Sequence, residues 1–224
     1  MKPFRLVIFD CDGTLVDSQW TIIGAMGKAF ANLGLLRPTD DAVRRVVGLS
    51  LYESMTRLHP QGTRDQHDQL IEGYRAAFFE MRSAPDHEEP LYPGVEAVLD
   101  HIDANGMLAA VATGKSMRGL EATLTRHGIH DRFVSLQTAD RNPGKPHPGM
   151  VERAMAEASV EPEATTVVGD TTYDVEMARA ARAYAIGVSW GYHPVEELHA
   201  AGAHAVINRF EDLPETLSSL LDRT

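Results

Sequence analysis

The sequence predicts an α/β protein, a doubly wound parallel sheet with an all-helical insertion directly after its first strand. Three observations carry this. Short apolar runs without polar alternation recur along the chain, as strands buried on both faces do. From about residue 91 onward these runs alternate with helical patterns, the order that builds a parallel sheet covered by helices on both sides. Between the first run and Pro93 the chain reads entirely as helix.

Each element has a local reason. The first strand is the run Phe4 to Phe9, stopped by Asp10. Met107 to Thr113, Phe133 to Gln137, Thr165 to Gly169 and Ala183 to Val188 are four more strands, and Ala205 to Ile207 is a sixth at an edge. Val95 to Ala104 follows Pro93-Gly94 and stops at Asn105-Gly106, a start and a stop signal for a helix. Ser116 to His127 has a capping serine and ends at Gly128. Gly149 to Ala158 follows Pro148, and Thr172 to Arg182 follows the fourth strand. In the insertion, Trp20, Ile23, Met26, Phe30 and Leu33 keep a helical stripe that ends at Gly34. Asp40 to Val47, Leu51 to Leu58 and Asp65 to Met81 are further helices, and Ser83 to Pro90 is a polar return linker. The core is therefore expected to be Rossmann-like.

Composition bounds the function. The 224 residues are 43% hydrophobic, enough to fill a core. The net charge of −11 argues against a nucleic-acid surface. One cysteine excludes an internal disulfide and a multi-cysteine zinc site. The apolar run before Asp10 is too short for a signal-peptide core, and no stretch has the length of a transmembrane helix. A cytoplasmic protein without membrane or nucleic-acid partners is expected.

Ligands of open parallel sheets bind beyond the carboxyl ends of the strands. There the sequence places Asp10-Cys11-Asp12-Gly13-Thr14, then Thr113-Gly114-Lys115-Ser116, then Lys145-Pro146-His147-Pro148, then Gly169-Asp170-Thr171-Thr172-Tyr173-Asp174. Asp10 and Asp12, two apart in extended chain, can face one ligand, and Gly13 allows a bend. Asp10, Asp170 and Asp174 offer hard oxygens suited to Mg²⁺. Thr113 and Gly114 lead into a helix whose free N–H groups suit an anion. Lys145, in a loop held by Pro146 and Pro148, is a candidate phosphate contact. Lys115 has no such support and is expected to be solvated. Cys11 points away from its neighbours and is a core residue, and His147 is structural. Gly48-Leu49-Ser50 is either a substrate loop or a plain helix end. Arg44 and Arg45 either meet a substrate carboxylate or are solvated. Trp190 to His193 either lines the mouth of the site or, as expected here, packs as core and loop.

These four clusters, in this order, resemble the motifs of the haloacid dehalogenase superfamily of phosphohydrolases across the whole chain. The insertion resembles the small helical cap of its subfamily I. Ala112 to Ser116, Lys145 to Pro148 and Gly169 to Thr171 look most like the phosphoglycolate phosphatase branch. The resemblance implies a core of residues 1–16 and 90–224 and a cap of 17–89, with hinges near Asp17-Ser18 and Ser83 to Pro90. It implies Asp10 as nucleophile, Asp12 as general acid and base, and Thr113 and Lys145 as catalytic charge stabilisers. Gly13, Thr14, Thr113, Gly114, Lys145, Gly48 and Ser50 are the implied phosphate and substrate contacts. The Asp10 side chain, the Asp12 backbone, Asp170 and Asp174 are the implied metal ligands for Mg²⁺. The partner is then a small phosphorylated metabolite, hydrolysed through an aspartyl-phosphate.

Rival activities are a pyrophosphatase, nucleotidase or sugar-phosphate mutase of the same superfamily. Leu51 stands where the β-phosphoglucomutases carry an arginine, which weakens the mutase. Haloacid dehalogenases typically lack an acid where Asp12 stands. A non-enzymatic receiver-like phosphoprotein would be shorter and lack the insertion.

Overall fold

The computed structural model describes residues 5–85 and 87–221. The expected start of the first strand at Phe4 lies outside the described residues. Strands β1 (Leu6–Phe9), β2 (Leu108–Thr113), β3 (Ser135–Thr138), β4 (Thr165–Gly169), β5 (Tyr184–Val188) and β6 (Ala205–Ile207) form one sheet in the order β3-β2-β1-β4-β5-β6. Every neighbouring pair is parallel, with Leu6 opposite Leu108 on one side and Thr165 on the other. The strand order reverses direction at β1, so a crevice opens between the carboxyl ends of β1 and β4.

Helices α1 (Gln19–Asn32), α2 (Asp40–Arg44), α3 (Leu51–Leu58) and α4 (Arg64–Arg82) all lie between β1 and α5 (Val95–Ala104) in the chain. The remaining helices are α6 (Met117–Arg126), α7 (Gly149–Ala158), α8 (Thr172–Ala180), α9 (Val195–Ala200) and α10 (Leu213–Leu221). Strand alternation divides the core. Val7 and Phe9 face a layer built from Val98, Leu99 and Ile102 of α5, Leu120 and Leu124 of α6, and Leu213 and Leu217 of α10. Leu6 and Ile8 face the opposite layer, with Met150 and Val151 of α7, Val175 and Met177 of α8, and Leu198 of α9. Both faces of the sheet are covered, and this is why its strands read as unbroken apolar runs.

Ile23, Met26 and Phe30 of α1 bury against Met55 of α3 and Leu70 and Ile71 of α4, in a third cluster. The two chain segments that lead into and out of these helices lie side by side. Val16 bridges to Leu91, and the Asp17 N–H donates to the Pro90 carbonyl at 2.9 Å.

Several expected boundaries move. The helix expected to reach Val47 ends at Arg44, because Val46 and Val47 donate back three residues in tight turns. Met107 and Ala183 stay outside their strands, since their N–H groups close helix ends at the Ile102 and Ala178 carbonyls. The third strand begins at Ser135 because a short 3₁₀ turn occupies His130–Arg132. Trp20, placed in the buried stripe by its spacing, is 68% exposed. Helices α9 and α10 were not anticipated.

Candidate active site

The loop after β1 places Asp10 at 1% exposure and Asp12 beside it. The Asp10 carboxylate is asymmetric. Its Oδ1 accepts from the Cys11 N–H at 2.6 Å and meets Lys145 Nζ at 2.9 Å. Its Oδ2 is buried and has no hydrogen-bond partner. Gly13, with φ of +84°, makes the bend that follows. A side chain there would strike Tyr192 and the Asp170 carboxylate, so only glycine fits.

Thr14 does not offer its hydroxyl to the cleft, because it donates to Asp170 Oδ1 at 2.7 Å. Asp170, after β4, also accepts the Tyr192 N–H on Oδ2 at 2.9 Å. The loop after β5 therefore packs as expected and also orients a carboxylate. Asp174 sits in the first turn of α8. Its Oδ2 accepts from the N–H and hydroxyl of Thr171, while its Oδ1 meets Lys145 Nζ at 2.6 Å. Oxygens of Asp10, Asp170 and Asp174 all lie within 4.8 Å of one another.

Charge at this cluster is unbalanced. Three buried carboxylates face the single ammonium of Lys145, itself fully buried. Burial pushes Asp10 up to about 7; Lys145 pulls against the rise and Asp174 adds to it. Asp170 is raised well above the usual carboxylate range by burial, then by Asp10 and Asp174. Burial works against the charge of Lys145, but Asp10 and Asp174 together hold the ammonium above its usual value. Such a pocket is complete when a small dication enters it. The three hard oxygens, one each from Asp10, Asp170 and Asp174, fit Mg²⁺.

A cleft of about 770 Å³ opens above these groups, lined by Asp10, Asp12, Thr113, Gly114 and residues of the insertion, Met26, Val47 and Phe78 among them. Thr113 is buried, and its hydroxyl accepts the Lys115 N–H at 3.3 Å. A Cβ on Gly114 would sit 2.7 Å from the Leu49 carbonyl and 2.8 Å from that of Gly48. The Gly48-Leu49 loop thus reaches the sheet edge by backbone contact. Ser50 caps α3 instead, accepting the Glu53 N–H and donating to the Glu53 carboxylate at 3.0 Å. Gly48 lines the cleft.

Lys115 corrects the expectation of a solvated side chain. It is 9% exposed, lies 2.8 Å from Asp12 Oδ1, and stands 5.1 Å from the centre of the Phe78 ring. Ser18, at the entry to the insertion, donates its hydroxyl to the same Asp12 oxygen. Neither contact was foreseen, although Ser18 falls in the expected hinge. Arg44 bonds Gln19 and Asp41, and Arg45 pairs with Glu197 of α9, so both side chains are already engaged. Cys11 is buried in the core, and His147 accepts the Gly149 N–H.

The sequence profile of the haloacid dehalogenase-like hydrolases matches residues 7–188. IndB of Dickeya dadantii, named a probable phosphatase, is 34% identical over 99% of this chain and 96% of its own length. A phosphoglycolate phosphatase of Pseudomonas putida is 30% identical over 91% of this chain and 76% of its own. The crystal structure of a hydrolase from Pseudomonas syringae superposes with a TM-score of 0.86 at 24% identity, covering 96% of this chain and 99% of that one, and so shares the fold. By the span of the profile match and its likeness to these relatives, the chain belongs to the haloacid dehalogenase-like hydrolase family.

Proposed function

We propose that the protein is a cytoplasmic, Mg²⁺-dependent phosphatase that hydrolyses a small phosphomonoester, phosphoglycolate or a near analogue, through an aspartyl-phosphate on Asp10. The observation that carries this is the carboxylate of Asp10 at the cleft wall, its Oδ2 buried and without a hydrogen-bond partner and its Oδ1 held by Cys11 and Lys145. A carboxylate held that way is oriented for attack without having to shed a partner. Asp10, Asp170 and Asp174, with the Asp12 backbone carbonyl, are the residues that would hold Mg²⁺; bound there, the ion offsets the repulsion between a phosphate dianion and the carboxylate.

The chain's own residues supply the rest. Asp10 Oδ2 bonds to phosphorus as the phosphorus–ester bond breaks. The electron pair goes to the ester oxygen, which takes a proton from Asp12. Asp12 then takes a proton from water as that water attacks phosphorus, and phosphate leaves with Asp10 restored. Lys145 holds Asp10 in place and, with Thr113 and the N–H of Gly114, spreads the charge of the transferred group. Residues 17–89 act as a lid that limits water during the first step and screens the leaving group. The names of the phosphatase relatives and the closeness of Gly48-Leu49 to Gly114 support this reading.

The test is phosphate release from a panel of phosphoesters, with 2-phosphoglycolate and pyrophosphate included, with and without Mg²⁺. Metal-dependent turnover that Asp10→Asn abolishes, at an unchanged melting temperature, is expected. Near-full activity of Asp10→Asn would remove it as nucleophile.

A further inference from the structure

We propose that Lys115 reads the leaving group, and that the substrate carries a second anion one or two bonds beyond its ester oxygen. This rests on the phosphatase reading above. Four cations line the cleft: Arg75, Arg82, Lys115 and Arg118. Arg75 is held by Glu72 at 2.7 Å and Arg82 by the buried Glu89 at 3.2 Å. Arg118 is exposed on the first turn of α6. Lys115 alone of the four is paired with Asp12, and that partner carries no charge while it holds the proton meant for the ester oxygen, which leaves the ammonium for the substrate.

That position has a consequence. Asp12 must come within hydrogen-bond distance of the ester oxygen to protonate it. Nζ of Lys115 lies 2.8 Å from the Asp12 carboxylate, so whatever is bonded to the ester oxygen passes within its reach. Lys145 cannot serve, because Asp10 and Asp174 occupy it on the phosphate side. Lys115 is also largely out of water, with the Phe78 ring beside it, so little solvent screens its attraction for an anion. Ser18 donates to the same oxygen of Asp12, so Asp12 keeps a partner when Lys115 turns to the substrate. On the insertion side the cleft is lined among others by the apolar Met26, Val47, Leu49 and Phe78 and by Arg75 and Arg82, both already paired with glutamates. The second charge therefore belongs close to the ester oxygen, as the carboxylate of a phosphoryloxy acid or the second phosphate of pyrophosphate.

The experiment compares kcat/KM for 2-phosphoglycolate, pyrophosphate and the uncharged counterpart 2-hydroxyethyl phosphate in wild type, Lys115→Met and Lys115→Arg. A charged hydrogen bond predicts a wild-type preference of about 10- to 100-fold for an anionic leaving group. Lys115→Met should lose that preference, Lys115→Arg should recover part of it, and the better of the two anionic substrates names the source. An equal loss on all three substrates would make Lys115 a mere support for Asp12 and overturn the proposal. Equal wild-type turnover of charged and uncharged esters would also overturn it, whether or not the variants fold, and would leave the phosphatase reading standing. No turnover of any ester would overturn both.

Discussion

Asp10 has two oxygens with different surroundings, and the difference sets what each can do. Oδ1 is tied to Lys145 and the Cys11 N–H, while Oδ2 is bare. With its pKa raised from 3.8 to about 7, the folded protein without metal holds a proton there that the unfolded chain has lost. Stability without metal then falls as pH rises through that window, because the native state binds more protons. A cation needs the ionised carboxylate and displaces the proton. The gain in Tm from a fixed Mg²⁺ concentration should therefore be larger at about pH 8 than at about pH 5.5. Equal gains, read by thermal denaturation, would remove Asp10 from the metal site. Residue chemistry was legible in the sequence where several side chains of one kind end successive strands, as with Asp10 and Asp170. Lys115 was not legible, because its partners, Asp12 and Phe78, lie far away along the chain.

The start of α8 ties an element to the site. Thr171 accepts the Asp174 N–H, and Asp174 in turn accepts the Thr171 N–H and hydroxyl, a reciprocal cap. One motif starts the helix and fixes the carboxylate against Lys145. Thr171→Ala should cost about 1 kcal/mol of stability and also raise the Mg²⁺ needed for half-maximal activity, while Thr171→Ser should keep both near wild type. A loss of stability with an unchanged metal titration would make the cap purely structural. Most elements were readable from apolar runs and their Gly, Pro and Ser boundaries. Helix α9 has six residues, too few to show a period. For α10 the signal was present: Leu213, Leu217 and Leu221 recur every four residues and are all buried. The end of α2 was misplaced because valines that continue an apolar stripe also pack well in a tight turn.

On the scale of the whole molecule, a chain of net charge −11 sets two ammonium groups largely out of water, Lys115 and Lys145, against Asp12 and Asp10, the two aspartates that line one cleft. That arrangement disfavours large polyanions while leaving one place for a small one. The insertion packs a buried cluster that Tyr192 of the loop after β5 joins, and it leaves and re-enters the sheet layer at adjacent points. Replacing residues from about Ser18 to Glu88 by a short linker should shift the ranking of substrates more than it lowers hydrolysis of the simplest ester. An unchanged ranking across the phosphoester panel would count against a lid. The fold class was legible because parallel pairing leaves a strong apolar signature. The meeting of Gly114 with the Gly48-Leu49 loop was not, since a glycine in sequence does not name the backbone that approaches it.

The pairing of β1 also shapes how the chain must fold. Leu6 to Phe9, near the start of the chain, sits at the centre of the sheet, and its neighbours run from Leu108 on one side and Thr165 on the other. During synthesis this apolar segment leaves the ribosome long before either partner exists, while α1 to α4 can already assemble behind it. Such distant contacts slow folding and keep a sticky strand open in the meantime. Newly made chains should therefore depend on chaperone holding until β4 has emerged, and a circular permutant beginning at α5 should refold faster than the natural order.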